Sequence, residues 1–150
     1  MNETRIAILI AALISCGGSV AFARTPAERH PITLNRAAFD YACELIAGGR
    51  VVADKKGSWR AHHPSRSEEN EFIHNHGFAE YAKWHLGIDR RHGEETKEHY
   101  KFPFGDFAAA ALHRCGLLAA KARAHQSGYA GIEAAADQLL SRIKLRQPTR

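Results

Sequence analysis

Residues 130–144, AGIEAAADQLLSRIK, are the stretch that decides the fold predicted from this sequence. Apolar side chains recur there at positions i, i+3, i+4, i+7, i+8 and i+11, which is the spacing of one face of an α-helix. These side chains belong to Ile132, Ala135, Ala136, Leu139, Leu140 and Ile143. Charged residues, among them Glu133, Asp137 and Arg142, fall on the opposite face. The pattern predicts an amphipathic helix that packs against a core.

Helical spacing also recurs in the segments upstream of this stretch. It predicts a helix over residues 107–126 and another over residues 65–86, for which Ser65 or Ser67 can be the N-cap. It also predicts a first helix that begins after an N-cap at Thr33 or Asn35 and ends at Gly48. The sequence shows no run of alternating strands of the kind that a sheet-based domain requires. We therefore predict an all-α domain of three to four packed helices with one long structured loop.

The first 23 residues, MNETRIAILIAALISCGGSVAFA, have the order of a signal peptide. Arg5 precedes nine apolar residues, 6–14, which as a helix span roughly 14 Å, about half of a bilayer core. Cleavage after Ala23 is one interpretation, lipid attachment at Cys16 is the second, and a buried N-terminal helix is the structural alternative. We expect a periplasmic or secreted protein without a transmembrane helix in the mature chain, or one that is lipid-anchored through Cys16.

The chain that follows the signal peptide is long enough for one domain. We expect a flexible lead-in over residues 24–32, a single helical domain over residues 33–146 and a tail over residues 147–150. The net charge is +5, but the basic residues are spread out and form no dense run interleaved with aromatics. This distribution and the expected export argue against nucleic acid, and spread charges of this kind are typical of a solvated surface. An acidic protein or an envelope polymer is the alternative, as a partner of the basic surface.

Histidines and an acidic residue at helical spacing suggest a metal site. His76 and Glu80 are four positions apart and share a helix face, whereas His74 and His76 point in directions about 200° apart. Two ligands do not complete a zinc site, so the candidates for further ligands are His85, His113 and, as an alternative to His113, His99. The alternative is that these histidines are surface residues or hydrogen-bonded packing residues.

Cys115 is the candidate for thiol chemistry, because the cationic residues next to it could lower the pKa of its thiol. With His85, Asp106 and His113 it makes up the candidate catalytic or binding site. Structural alternatives apply to two of these residues, since Cys115 falls on an apolar stripe and Asp106 fits a helix N-cap. In an oxidising compartment a disulfide between Cys43 and Cys115 is a further alternative.

Three motifs in the central and C-terminal segments resemble a group of small uncharacterised bacterial proteins. They read WHLGID at 84–89, KFPFGDF at 101–107 and HRCG at 113–116. No established activity, cofactor or catalytic residue accompanies that group, so the resemblance implies no function. It does imply that the polar residues of the three motifs meet in one place.

Three functional hypotheses follow from these observations. The first is a non-enzymatic binding or structural protein of the cell envelope. The second is a metal- or thiol-dependent enzyme, which requires the candidate side chains to converge within about 3–5 Å of a common point. The third is a pH-responsive periplasmic protein, because the ten histidines are neutral at pH 7 and gain charge near pH 5.

Export is the first testable prediction, because the first 23 residues have the signal-peptide order. A reporter fused after Arg24 should be found outside the cytoplasm. Mass spectrometry of the native protein should find a new N-terminus at Arg24 or a lipidated Cys16. Intact Met1 in a cytoplasmic fraction would contradict the prediction.

Overall fold

Five helices and two small sheets form the fold of residues 31–146, the part of the chain that the computed structural model describes. The predicted signal peptide, the alternative of lipidation at Cys16 and the predicted tail over residues 147–150 lie outside the described residues. No helix within residues 31–146 has the length and apolar character needed to cross a bilayer. The elements follow in the order β1 (Ile32–Leu34), α1 (Arg36–Ala47), β2 (Val51–Val52), α2 (Trp59–His62), α3 (Arg66–Ala82), β3 (His85–Asp89), β4 (Tyr100–Pro103), β5 (Gly105–Asp106), β6 (Ala111–His113), α4 (Arg114–Gln126) and α5 (Ala130–Arg146).

The prediction of an all-α fold is wrong, because the fold contains two three-stranded sheets. The first sheet has the order β1-β3-β4 and is antiparallel throughout. The second has the order β2-β6-β5, in which β2 runs parallel to β6 and β5 runs antiparallel to it. These strands are two to five residues long, too short to produce a readable alternation of apolar and polar residues. The domain is therefore mixed, with helices packed on small sheets.

The largest local error concerns the helix predicted over residues 107–126. In the structure α4 begins only at Arg114, and residues 111–113 form β6 instead. The alanine-rich run before it has a high helix propensity. Leu112 nevertheless pairs with Val51 of β2 and with Gly105 of β5. Tertiary pairing thus overrides the local preference.

Two helix starts that depend on local chemistry are confirmed. Asn35 caps α1, since its side-chain oxygen accepts a hydrogen bond from the Ala38 N–H at 3.4 Å. Ser65 caps α3 in a capping box with Glu68, in which each side chain bonds to the other residue's backbone N–H. Helix α3 bends at Gly77, where φ is +79°, a conformation that costs glycine little. It ends at Ala82, four residues before the predicted end.

The core lies where α1, α4 and α5 meet the first sheet. Helix α5 buries the apolar stripe predicted for it, apart from Leu140, which is only partly buried. Leu86 of β3 and Phe104 between β4 and β5 are completely buried in the same core. The second sheet borders this core through Leu112, so that residues 50–54 and the start of α4 are held side by side.

Leu139→Ala should lower the free energy of unfolding by about 2–5 kcal/mol, because Leu139 is completely buried and truncation leaves a cavity. Leu145 on the same helix is 85% exposed, so Leu145→Ala should change stability by less than about 0.5 kcal/mol. Chemical denaturation of both variants measures the difference. Equal effects of the two substitutions would contradict the observed orientation of α5.

Candidate functional site

Four side chains with metal-ligating atoms converge at one edge of the second sheet. They belong to Asp54, His62, His113 and Cys115, and one ligand atom of each lies within 4.8 Å of all the others. The Asp54 Oδ2 atom is the centre of the group, 2.7 Å from His113 Nδ1, 2.9 Å from His62 Nδ1 and 2.9 Å from Cys115 Sγ. Cys115 Sγ also lies 3.6 Å from His62 Nδ1. We call these four residues the Asp54 centre.

The parallel pairing of β2 with β6 explains why distant residues meet in the Asp54 centre. Val52 is opposite His113 in the register, and the carboxyl ends of parallel strands meet at the same edge of a sheet. Asp54 follows β2 by two residues and Cys115 follows β6 by two residues, so both side chains reach this edge. They are 61 positions apart in the sequence.

His62 is brought to the centre by a different element, the single turn α2. Trp59 begins this turn, and its indole ring packs against Gly116 at the start of α4. A Cβ atom added to Gly116 would lie 2.9 Å from that ring, too close for a side chain to fit. The Trp59 ring also lies 6.3 Å, centroid to centroid, from the ring of His113. A glycine at position 116 therefore allows α2 to approach α4 closely enough for His62 to reach Asp54.

Asp54 is ionised and serves as the N-terminal cap of α4. Its Oδ1 atom accepts a hydrogen bond from the Cys115 backbone N–H at 2.6 Å, which satisfies one of the free N–H groups at the helix start. Burial opposes ionisation, but hydrogen bonds from the Cys115 thiol, from His113, from the Cys115 backbone and from His62 outweigh it and lower the pKa of Asp54 to about 2. A carboxylate can only accept hydrogen bonds, so both histidines carry their proton on Nδ1.

The Cys115 thiol is protonated and almost fully buried. Burial and, to a smaller extent, the hydrogen bond to Asp54 together raise its pKa to about 11. A nucleophilic cysteine needs a lowered pKa and an accessible sulfur. The His62 Nδ1 atom already donates to Asp54, so it is not available as a base for the thiol. This geometry argues against thiol catalysis and leaves the sulfur as a hydrogen-bond donor or a metal ligand.

The Asp54 centre contains two of the residues proposed from the sequence, His113 and Cys115, and not His85. His85 is 1% exposed, and its Nδ1–H donates to the Tyr81 carbonyl oxygen at 2.9 Å. Its ring lies 4.3 Å from the Tyr81 ring, centroid to centroid. Burial lowers the pKa of His85 to about 4. His85 is a neutral packing residue beneath α3, which was the structural alternative.

The other proposed ligands also lie outside the Asp54 centre. Glu80 forms an ion pair with Lys83 at 2.7 Å and does not join His76 in a ligand pair. Asp106 does not cap a helix, since its Oδ1 atom accepts hydrogen bonds from the backbone N–H groups of Ala108 and Ala109 in the turn after β5. His76 and Asp106 both line a cleft that His113 borders.

The disulfide considered from the sequence is not formed. Cys43 and Cys115 are both free thiols. Cys43 lies partly buried on α1, whereas Cys115 is 1% exposed at the start of α4. Cys115 is therefore available to the Asp54 centre as a thiol.

Two members of the Asp54 centre, Asp54 and His62, were missed by sequence reasoning. Asp54 lies in a polar Asp-Lys-Lys-Gly run that is typical of a solvent-exposed turn. His62 is followed directly by another histidine and a proline, with no helical spacing to a second ligand. The signal available in the sequence was the Trp59-x-x-His62 run, in which an aromatic residue precedes the histidine by three positions. No family model, curated protein or solved structure matches this chain, so its function is argued from the site alone.

The stability of the protein should fall as the pH falls from about 6.5 to about 4, by about 3 kcal/mol from His85 alone. The native state keeps His85 neutral while the unfolded chain binds a proton in this range, so protonation favours unfolding. Denaturation at several pH values measures the slope. His85→Gln should lose this part of the slope, and His74→Gln, at an exposed position, should retain it. The same slope in His85→Gln would contradict the assignment.

Proposed function

We propose that the protein binds a zinc ion through Asp54, His62, His113 and Cys115. The observation that supports this most directly is the mutual approach of the four ligand atoms within 4.8 Å. Zinc bonds of about 2.0–2.3 Å in a tetrahedral site separate neighbouring ligand atoms by about 3.3–3.6 Å. The separations from Asp54 Oδ2 are 2.7–2.9 Å and that between Cys115 Sγ and His62 Nδ1 is 3.6 Å. Changes in these separations of up to about 1.5 Å, shared between the two residues of each pair, would therefore accommodate the ion.

The donor set selects zinc over the other common divalent ions. Calcium and magnesium prefer oxygen ligands, and only one of the four donors is a carboxylate. A thiolate with two imidazoles is typical of zinc sites. The ion would replace the protons that now connect the three donors to Asp54. It would deprotonate the Cys115 thiol and move the proton of each imidazole from Nδ1 to Nε2.

A structural role fits the position of the Asp54 centre better than a catalytic one. Catalytic zinc sites keep a coordination position open, whereas four protein ligands are available here. Helix α2 has four residues, none of them buried, so it contributes little to the core by itself. A zinc ion would connect α2 and the loop before it to the start of α4. Its binding free energy would then stabilise this corner of the fold. The envelope-binding and pH-responsive roles stay predictions.

Metal-free protein should bind one Zn²⁺ with a Kd of about 50 nM or tighter, since structural zinc sites contribute about 10–16 kcal/mol. A competition titration against a chelator measures the affinity. Cobalt in place of zinc should give the charge-transfer absorption of a thiolate–Co²⁺ bond. Binding should weaken at acidic pH, because the Cys115 thiol must lose its proton.

Cys115→Ala and His62→Ala should each weaken zinc binding by roughly 100-fold, because each removes a ligand. His62 is the more informative variant for folding, since its side chain is 36% exposed. Cys43→Ala and His125→Ala remove the same chemical groups outside the Asp54 centre and should leave the affinity unchanged. Undiminished zinc binding in Cys115→Ala and His62→Ala would overturn the proposal, as would an equal loss of binding in the two control variants or the absence of binding in the native chain.

A further inference from the structure

A cleft of about 550 Å³ adjoins the Asp54 centre. It lies between the end of α2, the N-terminal half of α3 and the turn after β5, and His62 and His113 form its border with the centre. Pockets that hold small ligands have volumes of roughly 300–1,000 Å³. The zinc proposal makes no use of the rest of this cleft.

The charge of the cleft is opposite to that of the whole protein. The chain carries 21 Lys and Arg residues and a net charge of +5, yet the described residues that line the cleft include neither Lys nor Arg. Three of them are carboxylates, Glu68, Glu71 and Asp106. Such a surface attracts cations and repels anions.

Each of the three carboxylates keeps at least one oxygen without a hydrogen bond among residues 31–146. Asp106 uses only Oδ1 in its turn, where it accepts the Ala108 N–H at 2.8 Å, and Glu68 uses only Oε2 in the capping box. Glu71 is exposed and has no hydrogen bond or ion pair with the described residues. These oxygens are free to accept hydrogen bonds from a cationic ligand.

A pair of phenyl rings provides the apolar part of the cleft. Phe72 and Phe107 are stacked with their centroids 4.7 Å apart, and both line the cleft. Phe107 is held from behind by edge contacts to the buried ring of Trp84 at 5.8 Å. The faces of aromatic rings attract organic cations and their apolar substituents. A hydrated metal ion makes no such use of an aromatic pair.

His113 supplies an independent indication of a ligand. Its side chain is 10% exposed, and its Nδ1 atom is used by Asp54. Its Nε2 atom has no hydrogen-bond partner among the described residues, although the residue lines the cleft. An imidazole nitrogen accepts or donates according to its tautomer, so Nε2 can bond to an amine in the metal-free chain or to a ligand oxygen in the zinc-bound chain.

From these features we infer that the cleft binds a small organic cation. Its ammonium group lies at the carboxylates of Glu71 and Asp106, and its apolar body covers Phe72 and Phe107. The inference goes beyond the zinc proposal and does not depend on it, because neither the carboxylates nor the phenyl rings belong to the Asp54 centre.

Three probes of one shape but different charge test the inference on the full chain. The cation 2-phenylethylamine should bind saturably, about tenfold more tightly than the neutral 2-phenylethanol, and the anion phenylacetate should not bind. Nuclear magnetic resonance titrations give the affinities and the residues whose signals shift. Equal affinity for the amine and the alcohol, no saturable binding of the amine, or displacement of the amine by Mg²⁺ would each overturn the inference.

Two substitutions and one control locate the binding to the cleft. Glu71→Gln removes an exposed charge, and Phe72→Leu keeps an apolar side chain but removes the aromatic face. Each should weaken amine binding by about fivefold and leave zinc binding unchanged, so that failure of either proposal is recognised separately. Glu44→Gln removes the same charge from the exposed face of α1, outside the cleft, and should have no effect. An effect of Glu44→Gln equal to that of Glu71→Gln would overturn the inference, because it would show an effect of net charge alone.

Discussion

The side chain of Asp54 is only 8% exposed. Its carboxylate stays ionised because the elements around it donate hydrogen bonds to it. An ionised group taken out of water costs several kcal/mol unless hydrogen bonds replace its hydration. Asp54 is compensated by three side-chain donors and by the backbone N–H of Cys115 at the N-terminus of α4. The parallel pair β2 and β6, the turn α2 and the start of α4 must all be in place for these donors to converge. The donor atoms that stabilise the Asp54 charge are also the proposed zinc ligands, so the fold brings these ligands together before the ion binds.

The features that sequence reasoning predicted are those fixed by residues close together in the chain. The stripe of α5, the Asn35 cap of α1 and the Ser65 cap of α3 each depend on no more than about twelve consecutive residues. The start of α4 could not be predicted in this way. It is set by the pairing of Leu112 and His113 with Val51 and Val52, and the alanine-rich run before it prefers a helix when considered alone.

The same distinction applies to the candidate site. His113 and Cys115 were noticed because two reactive side chains lie two positions apart in one motif. Asp54 has no such signal, since an aspartate in a polar turn is ordinary. Its importance arises from a contact with Cys115 across 61 positions. His85 shows the opposite error, because a histidine in a motif dense in aromatics was expected at the site and proved to be part of the core.

Packing brings the three motifs WHLGID, KFPFGDF and HRCG together in the fold. Gly105 of KFPFGDF lies against Trp84 of WHLGID, where an added Cβ atom would be 2.5 Å from the indole ring. Gly116 of HRCG lies against Phe104, where an added Cβ would be 2.9 Å from the Phe104 Cα. Backbone hydrogen bonds follow the same path, from Phe104 to Trp84 and from His113 to Phe104. The motifs are thus a framework in which each segment fixes the position of the next.

Four residues of the motifs lie at the edge of this framework. His113 and Cys115 belong to the Asp54 centre, and Asp106 and Phe107 line the cleft. The three motifs therefore fix one another's positions, and Asp54, His62 and Glu71, which lie outside them in the sequence, complete the proposed zinc and cation sites.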